Sequence, residues 1–165
     1  MSTSASLPIS LVVITLNEEH NIERCLRSFP YAAEWVVLDS GSSDQTQEIA
    51  GSLGAKVFEE SWKGYGPQKA SAVAKASNPW ILSLDADEAL SPEAAEEIRA
   101  LFRQAPAQSA YKFPRLSFHL GRWIRHGGWY PDYQVRLFDR ERASWSEDPL
   151  HERVVADSVG VMKRP

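Results

Sequence analysis

The feature that most constrains the fold is a regular alternation of short apolar runs and amphipathic segments over roughly the first hundred residues. Unbroken apolar runs rich in β-branched residues are typical of strands buried on both faces. We therefore predict an α/β fold in which a mostly parallel sheet carries helices on both faces. The predicted strands are Ile9–Leu16, Trp35–Leu38, Ala55–Phe58 and Trp80–Leu84, and the predicted helices are Glu18–Phe29, Asp44–Leu53, Pro67–Ala76 and one opening at Ser91.

Local signals support these boundaries. Asp44 can cap the second helix, and Gln47 stands three residues later, where a capping box needs Glu or Gln. Gly54 follows that helix as a stop signal. Ser91 and Pro92 are predicted to be the N-cap and the first position of the fourth helix.

The chain has 165 residues, of which 43% are hydrophobic and 24% charged, so one domain can bury a core without cross-links. Its single cysteine, Cys25, excludes an internal disulfide and fits a reducing compartment. We predict that Cys25 is buried, since it recurs at helical spacing with Ile22, Leu26 and Phe29. No apolar run approaches the ~20 residues of a membrane helix, and Met1–Pro8 lacks the features of a signal peptide.

The pattern changes after Pro106, where aromatic residues, glycines and arginines replace the helical periodicity. Residues 1–110 carry a net charge of −7, residues 111–142 carry +4 and residues 143–165 carry −1. A basic, aromatic block favours an anionic or sugar-containing partner, although a solvated face over core aromatics explains it equally well. We predict one domain, residues 1–165, whose first half, 1–106, carries the α/β alternation and whose second half, 107–165, carries the basic, aromatic block.

Three polar clusters follow three of the predicted strands. They are Thr15-Leu16-Asn17-Glu18-Glu19, Asp39-Ser40-Gly41-Ser42-Ser43-Asp44 and Asp85-Ala86-Asp87-Glu88. Ligands of open α/β sheets bind beyond the carboxyl ends of the strands. We therefore expect the three clusters to converge on one crevice.

Asp85 and Asp87 stand one residue apart just past a buried strand. Mg²⁺ or Mn²⁺ is commonly held by one or two carboxylates, with water and substrate phosphates as the other ligands. The pair therefore predicts a divalent-cation site, against the alternative of a solvated turn before a helix. Asp39, in a turn of small residues, can accept hydrogen bonds from a ribose or a base edge.

Competing nucleotide and catalytic motifs are absent from the sequence. It has no P-loop, and Gly64-Tyr65-Gly66-Pro67 lacks the third glycine and the strand context of a dinucleotide fingerprint. It also has no nucleophile elbow and no Cys/His zinc spacing. These absences leave the acidic strand ends as the candidate site.

Three segments, Val12 to Glu19, Val36 to Asp44 and Asp85 to Glu88, resemble the inverting family-two glycosyltransferases, which have the Rossmann-like GT-A fold. The resemblance implies a nucleotide-sugar-binding half, 1–106, and an acceptor-side half, 107–165. Two later strings, from Gly121 to Phe138 and from Asp148 to Glu152, resemble the bacterial lipopolysaccharide core glucosyltransferase subgroup, which adds glucose to a heptose of the inner core. The resemblance extends from Ile9 to Val161.

The resemblance implies a division of roles among the candidate residues. Thr15, Asn17, Glu18 and Asp39 would hold the uridine of a UDP-sugar, with Ser42 in the same turn. Asp87 would ligate Mg²⁺ or Mn²⁺ at the diphosphate, and Asp85 would lie near the sugar or ribose. Lys69 and Arg136 are candidates for phosphate contacts, or for side chains that lie along the surface.

A carboxylate would also deprotonate the acceptor hydroxyl, a task distinct from metal-assisted departure of UDP. Family members place this base well after the metal motif. The candidates are Glu152, Asp148 and Asp132; we favour Glu152, which His151 could orient. Trp129 and Tyr130 offer flat faces for a sugar ring, or simply contribute to the core.

Three functions remain open from the sequence. The first is transfer of a hexose, with glucose preferred, from a UDP-sugar to a lipopolysaccharide inner-core or related glycan. The second is a nucleotide-sugar- or glycan-binding module without turnover. Family members normally continue beyond the position of residue 165 with a segment that closes over the nucleotide, and a chain without that segment would bind its ligand but not turn it over. The third, a nucleotidyltransferase, is disfavoured because Asn17-Glu18-Glu19 stands where such enzymes carry a glycine-rich basic loop. We expect a cytoplasmic protein that can bind peripherally to the inner face of the inner membrane through anionic lipid, and we expect no nucleic-acid partner.

Overall fold

The computed structural model describes residues 5–119, 122–124, 131–148 and 151–165. Its main sheet has seven strands in the order β11-β5-β8-β4-β1-β2-β3. These strands are β1 (Leu7–Thr15), β2 (Ala32–Asp39), β3 (Lys56–Glu59), β4 (Trp80–Asp85), β5 (Ala110–Arg115), β8 (Asp132–Asp139) and β11 (Val159–Val161). Two small antiparallel pairs lie outside it: β6 (Ser117–His119) with β7 (Arg122–Ile124), and β9 (Ala143–Trp145) with β10 (Val154–Ala156).

Four consecutive strands of the main sheet run parallel to one another. β1 pairs with β2 on one side and β4 on the other, and β2 pairs with β3. Thr15 is opposite Asp39, and Ile14 is opposite Asp85, so the carboxyl ends of β1, β2 and β4 lie side by side. The register therefore confirms that the strands end at one edge, as the alternation of the sequence predicts.

The later strands complete the same sheet. β8 lies between β4 and β5 and runs antiparallel to both, while β11 pairs parallel with β5. The sheet is thus mixed: β1 to β4 form one parallel part, β5 and β11 form a second, and β8 is antiparallel to its neighbours on both sides. This arrangement confirms the prediction that the residues after Pro106 extend one α/β domain.

Apolar side chains cover both faces of the sheet because successive residues of a strand point to opposite sides. Leu11 and Val13 belong to a core with Ile22, Cys25 and Ile98. On the other face, Val12, Leu38 and Ile81 pack with Ala72 and Trp145. Cys25 is fully buried, as predicted, and burial raises the pKa of its thiol, which keeps it protonated and unreactive.

The helices are α1 (Ile22–Arg27), α2 (Thr46–Ser52), α3 (Tyr65–Ala74) and α4 (Pro92–Arg103). α4 has the predicted N-cap, since Ser91 Oγ accepts a hydrogen bond from the Ala94 amide. Gly54 has a φ of 94°, a left-handed conformation that stops α2 at low strain. Within the residues described, none of the helices combines the length and the apolar character needed to cross a membrane.

Three predicted helix starts were wrong: α3 begins at Tyr65, not Pro67, and the starts of α1 and α2 differ for a local reason. α1 begins at Ile22, not Glu18, because Asn17 has a φ of 54° and the Glu18 amide donates to Thr46 Oγ1. α2 has Gln45 at its N-cap position, with no side-chain cap. Asp44 Oδ1 still accepts from the Thr46 amide, but no capping box forms.

The side chain of Gln47 explains the missing box. Gln47 Nε2 donates to Asp39 Oδ1 at 2.9 Å and to Glu59 Oε2 at 2.7 Å, so it points to the strand ends and not back to Asp44. A residue expected to stabilise a helix end instead joins the polar edge of the sheet.

Candidate active site

The loops after β1 and β2 are joined by hydrogen bonds. The Asn17 amide donates to Ser42 Oγ at 2.8 Å, and the Ser43 amide donates to Asn17 Oδ1 at 2.9 Å. The left-handed backbone of Asn17 allows its main chain and its side chain to reach the same loop, and Asn tolerates this conformation better than most residues. Two of the three predicted polar clusters therefore form one surface.

Glu18 and Glu19 extend this surface toward α2. Glu18 Oε2 accepts from Asn21 Nδ2 at 3.0 Å. The Glu19 amide donates to Asp44 Oδ2 at 3.2 Å, and Glu19 Oε2 accepts from the Gln45 amide at 3.1 Å. Each acidic side chain here accepts from the protein itself, which fixes the shape of the edge.

Asp39 lies at the centre of this network and is fully buried. Its two oxygens accept five hydrogen bonds; the donors are Thr15 Oγ1, the Gly41 amide, the Ser42 amide, Ser42 Oγ and Gln47 Nε2. Burial alone would raise the pKa of Asp39, but the hydrogen bonds from Ser42, Thr15 and Gly41 outweigh it and hold that pKa below its ordinary value. Gly41 has a φ of 99°, which brings its amide toward the carboxylate.

We expect Asp39→Asn to lower the stability of the fold at neutral pH by ~1–3 kcal/mol, because the amide cannot accept all five donors. A carboxylate whose folded pKa is depressed stabilises the protein above the unfolded pKa of ~3.9, and this stabilisation is lost as pH falls through the folded value. The difference between wild type and variant should therefore shrink on going from pH 7 to about pH 3. Urea unfolding at both pH values measures it.

Asp157→Asn is a matched control, since Asp157 is an exposed turn residue. It should leave unfolding unchanged at either pH. Equal stability of wild type and Asp39→Asn at pH 7 would show that the five hydrogen bonds contribute nothing to the fold.

At the end of β4, Asp85 meets a buried cation. Lys69, on α3, is 5% exposed, and its Nζ lies 3.1 Å from Asp85 Oδ1 and 3.5 Å from Glu152 Oε1. The ammonium also lies over the Trp145 ring, 4.6 Å from its centroid. A buried charge needs paired partners of this kind. Lys69 thus connects the metal-motif strand with the segment that carries the favoured base.

Arg136, on β8, is the second buried cation of the site. It forms a two-pronged ion pair with Glu88, with Nε at 3.0 Å from Oε2 and NH2 at 2.6 Å from Oε1, and lies 3.7 Å from Asp85 Oδ2. Burial would lower the pKa of Arg136, but the charge of Glu88, then that of Asp85, raises it overall. Glu88 also accepts from the Asp85 amide at 3.0 Å, so it shapes the Asp85–Glu88 turn.

Asp87 differs from its neighbours in the same turn. Its side chain is exposed, and among the described residues it has no hydrogen bond or ion pair. Its carbonyl accepts from Arg24 at 2.8 Å, which fixes the backbone while the carboxylate faces solvent. The described residues contain no cluster of three metal-ligating side chains. Asp87 therefore offers one open carboxylate, the donor set of a cation site completed by phosphates and water.

A cavity of about 290 Å³ opens beside Asp85. Its lining residues are Lys69, Asp85, Arg115, Tyr133, Gln134, Val135, Arg136, Trp145, Glu152, Arg153 and Val154. Of the three candidate bases only Glu152 lines it. Asp132 pairs with Arg115, and Asp148, which is exposed, accepts from the His151 amide at 3.2 Å. The ring candidates Trp129 and Tyr130 lie outside the described residues.

Gly66 allows α3 to approach the segment that carries Glu152. A Cβ at this position would lie 3.0 Å from the Ser146 carbonyl oxygen, 3.7 Å from that of Asp148 and 3.7 Å from Glu152 Cβ. The glycine that fails to make a dinucleotide fingerprint in the sequence thus has a packing role: it brings Lys69 and Glu152 together.

Comparison with known proteins agrees with this geometry. The family model described as "Glycosyl transferase family 2" matches residues 10–158, nearly the whole chain. The chain belongs to glycosyl transferase family 2.

Two relatives are similar to this chain over much of its length. The chain is 43% identical over 122 residues to a glycosyltransferase of Rickettsia bellii, an alignment that covers 72% of this chain and 42% of the relative. It is 29% identical over 157 residues to the lipopolysaccharide core biosynthesis glycosyltransferase LpsC of Rhizobium meliloti, covering 92% of this chain and 58% of LpsC. The aligned region therefore spans about half the length of these relatives.

The fold is also that of a solved glycosyltransferase. Glucosyl-3-phosphoglycerate synthase of Mycobacterium tuberculosis, in complex with Mn²⁺, UDP and glucosyl-3-phosphoglycerate, superimposes with a TM-score of 0.54 and 26% identity. The match covers 64% of this chain and 43% of the synthase. It confirms the GT-A fold class that the sequence motifs imply.

Several side chains contact the predicted site residues in ways that the sequence does not indicate. The sequence indicates Glu88 only as a member of the third polar cluster and Gln47 only as a capping residue, yet Glu88 binds the Asp85 amide and Gln47 binds Asp39. Trp145, which packs against Lys69, stands in no motif. Gln68 is fully buried and donates to Ser40 Oγ at 3.3 Å. A buried glutamine four residues into a helix is visible only once α3 is placed against the strand ends.

The basic block of residues 111–142 contributes to the cavity through Arg115, Tyr133 and Arg136. Much of its charge is used within the protein: Arg115 pairs with Asp132, Arg136 with Glu88, and Arg142 with Asp139. Lys112 and Arg140 contact a ring and a backbone carbonyl instead of an acid, and the side chains of Arg122 and Arg125 lie outside the described residues.

Proposed function

We propose that this family-2 protein transfers a hexose, glucose by preference, from a UDP-sugar to a lipopolysaccharide inner-core or related glycan acceptor, with Mg²⁺ or Mn²⁺. The proposal rests on one observation: Asp85 and Glu152 line the same cavity, and the Lys69 ammonium forms an ion pair with both. The carboxyl end of the strands that would bind the donor therefore lies beside a second carboxylate. A displacement assisted by a base requires such a second carboxylate. The name of LpsC and the ligands of the mycobacterial synthase support the substrate classes.

The uridine would bind where the loops after β1 and β2 are joined. Thr15, Asn17, Glu18, Asp39 and Ser42 form that surface, and its hydrogen bonds make it rigid before a ligand arrives. Asp39 already accepts five hydrogen bonds, so a ring N–H or a ribose hydroxyl would replace one side-chain donor, such as Gln47 Nε2, which can keep its second hydrogen bond to Glu59. Such an exchange keeps the buried carboxylate satisfied.

Asp87 would hold the divalent cation against the diphosphate. Its exposed carboxylate and the fixed backbone of its turn support this role. A bound cation would supply charge neutralisation for the departing UDP. Asp85, held by Lys69 and Arg136, would face the sugar or the ribose, and the two cations would keep that carboxylate in place.

Glu152 would act as the base. It would accept the proton of the acceptor hydroxyl while that oxygen forms a bond to the anomeric carbon and the bond from this carbon to the UDP oxygen breaks. A single displacement of this kind inverts the configuration at the carbon. Lys69, 3.5 Å from Glu152, would orient the carboxylate toward the cavity, since its own position is fixed by burial and Trp145.

A donor screen tests the proposal. At concentrations ~100-fold above Kd, UDP with Mn²⁺ should raise the melting temperature by roughly 5–10 °C, and GDP, CDP and dTDP should raise it less. Turnover of UDP-glucose with and without acceptor then separates a transferase from a binding module. A larger shift with another nucleotide would refute the UDP assignment, and UDP binding without transfer would favour the binding module.

A further inference from the structure

A pair of exposed aromatic rings lies at the start of α3, outside the set of residues assigned above. Trp62 is 49% exposed and Tyr65 is 59% exposed. Their rings meet edge to face, with centroids 4.8 Å apart and planes at 86°. Single apolar residues are common on protein surfaces, but two large rings packed together in solvent form an organised patch.

The segment that carries these rings is fixed at both ends. Glu60 Oε2 accepts from Lys63 Nζ and from Ser71 Oγ, both at 2.6 Å. The Lys63 amide donates to the buried side chain of Gln68 at 3.2 Å. The rings are therefore presented by an ordered loop, which lowers the conformational entropy lost when a ligand binds.

The loop that carries the rings lies between two parts of the candidate site. Tyr65 precedes Gly66, where a Cβ would lie 3.7 Å from Glu152 Cβ. Gln68, which holds the loop, also donates to Ser40 Oγ beside the nucleoside surface, and the Glu60 amide donates to the Asp39 carbonyl at 3.0 Å. Tyr65 therefore enters α3 one residue before the contact with the segment of Glu152, the residue proposed to meet the acceptor hydroxyl.

We infer that Trp62 and Tyr65 form a saccharide-binding subsite that holds the acceptor glycan beside Glu152. A pyranose ring has an apolar face of C–H groups that matches an aromatic face, and the Tyr65 hydroxyl adds a polar handle. These uncharged rings suit the apolar face of a sugar, unlike the cavity beside Asp85, which is lined by charged side chains of both signs. This inference rests on the proposed function, since it names the acceptor side of the same site.

Direct binding of a deacylated lipopolysaccharide core oligosaccharide, measured by calorimetry on the full-length protein, tests the inference. Trp62→Ala and Tyr65→Ala should each weaken this binding by roughly 3- to 10-fold and raise the acceptor KM similarly, with UDP affinity and kcat unchanged. Trp62→Phe and Tyr65→Phe keep a ring and should retain most of the affinity. Phe58→Ala, at another exposed aromatic, should change neither.

The outcomes separate this inference from the proposed function. If UDP-sugar turnover persists and both alanine variants bind the oligosaccharide as tightly as wild type, the subsite is overturned and the proposed function stands. The same holds if the variants lose UDP affinity instead, which would assign the rings to the donor, or lose only thermal stability, which would assign them to packing. Wild-type protein that binds UDP but no oligosaccharide also overturns it.

Discussion

Glu152→Gln should lower the rate of glycosyl transfer by ~10²–10⁴-fold while leaving UDP-sugar and metal binding intact. The amide has nearly the same shape but cannot accept the proton, so the loss falls on the transition state and appears in kcat. Lys69 keeps its contact with Asp85 in this variant, so the cavity should keep its form. Steady-state kinetics at saturating donor and acceptor, on the full-length protein, measure the effect.

Asp148→Asn and Asp132→Asn are the matched controls, because these acids belong to the same half of the chain. Neither lines the cavity, and Asp132 is paired with Arg115. Both should retain most of the turnover. If Asp148→Asn loses turnover while Glu152→Gln keeps it, the role of base moves to Asp148; if all three remain active, the base lies elsewhere.

Asp87→Ala should weaken UDP binding in the presence of Mn²⁺ by ~10²-fold or more, because a metal–carboxylate–phosphate bridge contributes several kcal/mol. EDTA should have the same effect on wild type and little further effect on the variant. Calorimetric titration of UDP, with and without Mn²⁺, measures both changes. Uridine, which lacks phosphates, should bind wild type and variant alike.

Glu93→Gln is the control for charge alone, since Glu93 is an exposed carboxylate in the first turn of the next helix. Its UDP affinity should match that of wild type. UDP binding that is unaffected both by EDTA and by loss of the Asp87 carboxylate would remove the basis for a metal site.

The convergence of the polar clusters was predictable from the sequence. Apolar runs such as Ile9–Leu16 and Trp80–Leu84 indicate buried parallel strands, and parallel strands place their following loops at one edge. The strand pairing confirms this: Thr15 is opposite Asp39, and Asp85 is opposite Ile14, the residue before Thr15. What the pattern could not give is the partner of each side chain, such as the five donors around Asp39.

The other side of the site was not predictable from local patterns. β8 enters the sheet beside β4 from about fifty residues further along the chain, and its antiparallel pairing brings Arg136 to Glu88. Such pairing depends on register between distant segments, which neither periodicity nor turn residues encode. The sequence indicates Lys69 as a candidate for a phosphate contact. Its burial between Asp85, Glu152 and Trp145 follows from the packing of α3 against the sheet, which the sequence pattern does not specify.

The strand order has a consequence for how this protein can be made. β4 is hydrogen-bonded to β8, and Ile81 and Leu82 lie opposite Phe138 and Leu137. A nascent chain that has emerged only as far as Arg103 carries α1 to α4 and the four parallel strands β1 to β4, yet presents β4 as an open apolar edge. That edge is covered only once β8 has also left the ribosome, so until then the first half of the sheet is open to edge-to-edge association.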